Sequence, residues 1–189
     1  MGARCQLKLI DDKFTSEHGG VRGVGKRKTR RPFSSKKAMP VVLRARYSVL
    51  RYRGHLPMVR QLVRATAERF AIKVYKLGVE RNHLHLVTRA ERREDHANFL
   101  RTLAGQIAQR ILKATRGNTF GKFWELPPFT RIVEWGKALQ IAKAYVLQNE
   151  LEASGVIPYT PRTRVARATS SSRAMLYGNN FQGSKKSGR

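Results

Sequence analysis

The sequence predicts an α+β domain with a βαββαβ order of elements and one further helix behind it. Three observations predict this: short β-rich runs led by one with clean two-residue alternation, longer stretches whose apolar residues recur at helical spacing, and basic segments with neither period at both ends. Val41, Leu43, Ala45 and Tyr47 alternate with Val42, Arg44, Arg46 and Ser48, the pattern of a half-buried strand. Leu56-Pro57 opens a helix, with proline where the missing N–H costs nothing, and Val59, Leu62, Val63 and Phe70 form its apolar stripe. Ile72 to Leu77 is a second strand, Gly78 to Asn82 a turn, and His83 to Thr88 a third strand. Glu94 and Asp95 suit the positive end of a helix dipole. Phe99, Leu103, Ile107 and Ile111 then follow at spacings of four, predicting a long amphipathic helix that ends near Gly117. A short strand over Phe129 to Val133 follows Pro127-Pro128. The last helix runs from about Gly136 to Ala153, with Trp135, Leu139, Ala142 and Val146 on its buried side. This order is the split βαβ, ferredoxin-like arrangement, with two helices on one face of a single sheet and the other face open. That fold serves many functions, so function has to be argued from the site.

Charge narrows the class. The 189 residues carry 39 Lys and Arg against 12 Asp and Glu, a net charge of +27, and self-repulsion of that size is tolerated best beside a polyanion. The domain boundaries expected are a basic flexible arm over 1–38, a patterned domain over 39–155 and a basic disordered tail over 156–189. From His18 to Ala67 there is no acid, and eight Lys and Arg fall between Arg22 and Lys37. The expected nucleic-acid contacts are therefore Arg22, Lys26, Arg27, Lys28, Arg30, Arg31, Lys36 and Lys37 in the arm, with Arg44 and Arg46 on the first strand. The single cysteine, Cys5, excludes a disulfide framework and a cysteine-rich zinc module. No apolar signal region and no membrane-length run is present, so the expectation is a cytoplasmic protein, associated with the nucleoid when bound to DNA and without a membrane partner.

Two short motifs could carry chemistry. In Asn82-His83-Leu84-His85-Leu86-Val87 the two histidines stand at i and i+2, so on a strand they share a face with Cα atoms roughly 6–7 Å apart. Two neutral imidazoles converging in this way suit a divalent metal with open positions for substrate; two strand histidines near phosphates would give the same spacing. On the final helix Tyr145 and Asn149 are four apart, one above the other at the edge of the apolar stripe. A phenol there could attack an electrophile and an amide oxygen could complete a metal site, with Gln148 as a rival ligand about one step off that face. A boundary tyrosine beside a solvated asparagine is the plainer alternative.

Together these features resemble the single-tyrosine HUH transposases, and the context of the two histidines looks like the REP-associated tyrosine transposase branch. The resemblance covers about residues 40 to 153. It implies Mg²⁺ or Mn²⁺ held by His83, His85 and Asn149, with Tyr145 attacking a phosphate of single-stranded or hairpin DNA to leave a 5′-phosphotyrosyl link and a free 3′-OH. Some relatives carry Gln where this chain has Asn149, which is one methylene shorter, so metal affinity is where an effect is expected. A two-histidine phosphoesterase needs two His-x-Thr or His-x-Ser motifs, and His85 is followed by Leu86-Val87. A non-catalytic nucleic-acid binder and a plasmid replication initiator stay open as alternatives, as does the choice between monomer and homodimer.

Overall fold

The alternation at Val41 and Leu43 does what a half-buried strand requires: both side chains are buried while Arg44 faces solvent. The computed structural model describes residues 17–20, 30–113 and 121–159. Along these run β1 (Glu17–His18), β2 (Met39–Arg44), α1 (His55–Arg69), β3 (Lys73–Val79), β4 (His83–Arg89), α2 (Arg93–Leu112), β5 (Phe129–Arg131) and α3 (Lys137–Ser154). The sheet order is β1-β5-β2-β4-β3, with every neighbouring pair antiparallel. Without β1 this is the predicted ferredoxin-like sheet.

Register assigns the two faces. Val41 stands opposite Leu86 and Leu43 opposite Leu84, and this side of the sheet packs under α1 and α2. Val59, Leu62 and Val63 of α1 and Phe99, Leu103 and Ile107 of α2 complete that core, all nearly free of solvent contact. Burying each such side chain stabilises the fold by about 1.5–3 kcal/mol. The other face carries His83, His85 and Val87, and α3 lies on it: Val87 packs with Ala38, Leu139 and Val146. The face expected to be open is thus half covered.

Several expectations need correction. Residues 30–38 were expected in a flexible arm, yet they dock on the domain. Arg31 Nη1 donates to Pro128 O at 2.9 Å and Thr130 Oγ1 at 2.7 Å, Arg89 Nε donates to Ser35 O at 2.8 Å, and Ala38 is fully buried. Further out, β1 pairs Glu17 with Arg131 and His18 with Thr130, an edge strand that two residues are too few to announce. Gly19 follows at φ 81°, so close to β5 that a Cβ would lie 2.2 Å from Pro128 O. Strand β2 ends at Arg44 and Tyr47 is 51% exposed, because Ala45 bridges to Trp124 and the chain then turns. Trp135 is 45% exposed rather than buried; its indole N–H donates to Lys36 O at 2.6 Å. Helix α2 ends at Leu112 instead of near Gly117, with Lys113 at φ 52° as its left-handed cap.

The expected turn at Gly78 to Asn82 is also displaced. Gly78 lies inside β3, and the turn is closed by Glu80 N–H to His83 O at 2.8 Å. On its other side β3 carries a register shift between Val74 and Lys76, which puts a bulge at Tyr75. Arg22, Lys26, Arg27, Lys28 and the tail from residue 160 lie outside the described residues.

Candidate active site

Strand β4 presents His83 and His85 side by side, ring centroids 5.8 Å apart and planes inclined by 28°. Cross-strand pairing sets their surroundings: His85 stands opposite Val42 on one side and Gly78 on the other, and His83 opposite Arg44. His85 is buried and His83 half-buried.

What brings α3 to these histidines is the absence of a side chain at Gly78. A Cβ there would stand 2.8 Å from Val146 Cγ1 and 2.9 Å from Val146 O, so α3 sits directly on the β3 backbone. The helix advances along β3 in the chain direction: Trp135 and Lys143 lie against the Tyr75 ring, and Val146 against Gly78. One turn carries Tyr145 edge-on to His85, with centroids 5.8 Å apart and planes at 74°. The Tyr145 side chain is 44% exposed and thus reachable by a large substrate.

Asn149 continues the buried stripe of Leu139, Ala142 and Val146, and only 2% of it is exposed. Neither its Oδ1 nor its Nδ2 has a hydrogen-bond partner. An amide orphaned in this way costs about 1–3 kcal/mol, so a fold tolerates it where another task needs it. The expectation that Tyr145 and Asn149 share a position at the edge of the stripe is therefore half met: Tyr145 is at the edge and Asn149 is inside. Gln148, the rival amide, donates to Glu152 Oε1 at 2.8 Å and turns away.

Glu80 escaped the sequence reading. Its Oε1 lies 2.8 Å from Nε2 of His85 and its Oε2 3.8 Å from Nδ1 of His83, while Asn82 Oδ1 accepts from His83 Nδ1 at 2.8 Å. Carboxylate and amide acceptors of this kind fix imidazole tautomer and orientation. The signal was its spacing three residues before His83 in a tight turn, but an acid near a turn is too common to single out. Burial holds the His83 pKa below the ordinary histidine value. Glu80 opposes the shift, His85 and Arg44 add to it, and Glu125 opposes it weakly. Such a ring is neutral at pH 7, the form that can give a lone pair to a cation.

The donors present fit a small divalent cation. Among the described residues no three His, Cys, Asp or Glu side chains form a metal cluster; the donors that could hold a cation are the two imidazoles and the unpaired Asn149 amide. Of the other cations expected on DNA, Arg31 is committed to β5, Lys37 pairs with Glu134 and Arg44 pairs with Glu125 at 2.6 Å. Arg30, Lys36 and Arg46 are exposed.

Comparison with known proteins matches this architecture. A family model described as IS200-like transposase covers residues 35–149, from the docked segment to Asn149. A REP-associated tyrosine transposase solved bound to a REP hairpin superposes with a TM-score of 0.53 at 14% identity, covering 67% of this chain and 74% of the other. A candidate transposase from Deinococcus radiodurans R1 has a TM-score of 0.43 at 20% identity, over 66% of this chain and 98% of that one. No curated protein matches the sequence. Among the described residues no helix is long and apolar enough to cross a membrane. With the family model spanning well over half of the chain, this protein belongs to the IS200-like transposase family.

Proposed function

We propose that this transposase cuts and rejoins single-stranded or hairpin DNA through a covalent link to Tyr145, with Mg²⁺ or Mn²⁺ held by His83, His85 and Asn149. The observation that carries the reading is the juxtaposition on α3: an exposed phenol edge-on to His85, and one turn later a buried amide with both polar atoms unpaired. A cation at those donors would withdraw charge from the scissile phosphate and favour phenolate.

The rest falls to the chain's own groups. A free phenol has a pKa of about 10, so it is a poor nucleophile at neutral pH until its surroundings polarise it. Tyr145 Oη attacks phosphorus, the P–O3′ bond breaks, and the departing 3′ oxygen takes up a proton equivalent to the one the phenol gives up. The product is a 5′-phosphotyrosyl ester and a free 3′-OH, and because the ester keeps the energy of the broken bond, rejoining needs no ATP. Glu80 holds the His85 ring, and the exposed Arg46 and Lys36 can grip flanking phosphates. An unpaired strand is required because a duplex would hold the scissile phosphate away from a phenol set against the sheet.

The test is incubation of the full chain with end-labelled single-stranded DNA and Mn²⁺, followed by a denaturing gel. A covalent adduct is expected, lost with EDTA and lost in Tyr145→Phe, while Tyr47→Phe, Tyr52→Phe, Tyr75→Phe, Tyr159→Phe and Tyr177→Phe retain it. An adduct formed by Tyr145→Phe would overturn the assignment.

A further inference from the structure

The cross-strand register places Gly78, His85, Val42 and Phe129 in one row across β3, β4, β2 and β5. Helix α3 covers the Gly78 end of that row and leaves the Phe129 end partly open, Phe129 being half-buried with Gly20 against one side of its ring. There a cavity of about 330 Å³ opens between α3 and the sheet, lined by Val42, Phe129, Arg131 and Ile141 and walled at its inner end by His85 and Tyr145. Its character is mixed in a useful way. The floor is apolar with one aromatic ring, and the cation Arg131 stands at the rim with its side chain exposed. Ile141 is 59% exposed although it sits one helical turn before Tyr145.

An apolar shelf that begins at the nucleophile needs an occupant that arrives with the substrate. We propose that it seats the unstacked base of the nucleotide adjoining the scissile phosphate, its ring laid on Phe129 and the next phosphate held by Arg131. This rests on the reading of Tyr145 as nucleophile and adds a substrate subsite to it. The chemistry matches on both counts: a base freed from a strand gains most from an aromatic platform with apolar walls, and the backbone beside it brings the negative charge that Arg131 answers. Seating one base also fixes the strand's phosphate relative to Tyr145, which positions the substrate without reading a long sequence.

The experiment measures binding of a short fluorescein-labelled oligothymidylate to the full chain in EDTA, across a salt series. Phe129→Ala should weaken binding at fixed salt by roughly 5- to 150-fold, the range expected for one stacked base, and leave the salt slope unchanged. Phe129→Tyr should bind as the parent does. Phe129→Leu keeps apolar bulk without a ring face and should behave as Phe129→Ala. Arg131→Gln should lower the salt slope by about 0.7, one phosphate contact. Irradiating the same strand carrying 5-iodouracil should cross-link the peptide containing Phe129. Parental affinity in Phe129→Ala or in Phe129→Leu, or cross-links confined to peptides away from this cavity, would overturn the proposal. Because binding is read without metal, failure to form an adduct would count against the nucleophile alone and leave this result legible.

Discussion

Replacing Gly78 with alanine tests whether close approach of α3 to the sheet is what assembles the site. The added methyl would stand 2.8 Å from Val146 Cγ1 and 2.9 Å from Val146 O, where ordinary contact begins near 3.4 Å, so the helix has to move out by about half an ångström. Overpacking of this kind costs about 1–3 kcal/mol. For a domain of this size that lowers the unfolding midpoint by roughly 3–10 °C. The effect on chemistry should exceed the effect on stability, because Tyr145 rides on the displaced turn while His85 stays on β4. A misplacement on the order of 1 Å can cost about a hundredfold in rate. The assay is the initial rate of adduct formation beside a thermal melt of the same preparation. The double variant Gly78→Ala/Val146→Ala relieves the side-chain clash but not the carbonyl one, so it should recover part of the rate. If Gly78→Ala forms adduct at the parental rate, α3 is not placed by this contact and the argument fails.

Three further outcomes are expected, two from the structure and one from the charge of the sequence. Asn149→Leu replaces an unpaired buried amide with an apolar side chain, so in urea melts without metal it should be more stable by about 1–2 kcal/mol. The thermal protection that Mn²⁺ gives the parent should be lost; a variant that is less stable yet still protected would contradict both roles. His96 is held down to about 4 by burial, with Arg31 adding to the shift, so the unfolded chain takes up a proton before the folded one. Stability should therefore be intact above pH 6.5 and fall as pH drops from 6.5 towards 4, by about 3 kcal/mol in all, and His96→Gln should remove that part of the slope; parallel pH curves for the two proteins would refute it. Changing Arg22, Lys26, Arg27 and Lys28 together to Gln should flatten the salt dependence of single-strand binding by about 0.7 per lost phosphate contact without moving the cleavage position. A shifted cleavage position would show that these residues read sequence.

The elements with a strong period were legible in the sequence. Val41 and Leu43 announced β2, and Phe99, Leu103 and Ile107 announced α2, because burial of one face imposes a repeat that tertiary contacts do not disturb. His83 and His85 were legible for the same reason, since a shared strand face needs only spacing. Features that depend on partners far along the chain were not. Gly78 reads as a turn residue until Val146 is found against it. Trp135 reads as core until its N–H is seen to cap Lys36, and the segment after Arg30 reads as a loose arm until Arg31 is found on Pro128 and Thr130. The burial of Asn149 is of the same kind: its four-residue offset from Tyr145 was visible, while the depth at which it sits depends on how near α3 comes to β3.

Among the described residues, neither rim of the sheet presents a long unbroken ladder to another strand. On one side, among the described residues, β1 offers Glu17 and His18, a short ladder for a foreign chain to extend. On the other, β3 is broken by its bulge at Tyr75 and carries Lys73 and Lys76 on either side of it. An unpaired row of backbone groups is the usual route by which sheet proteins stick to one another, and here both ends of the row are blunted. Where copies of so basic a chain are drawn together, this works against edge-to-edge pairing through the described strands.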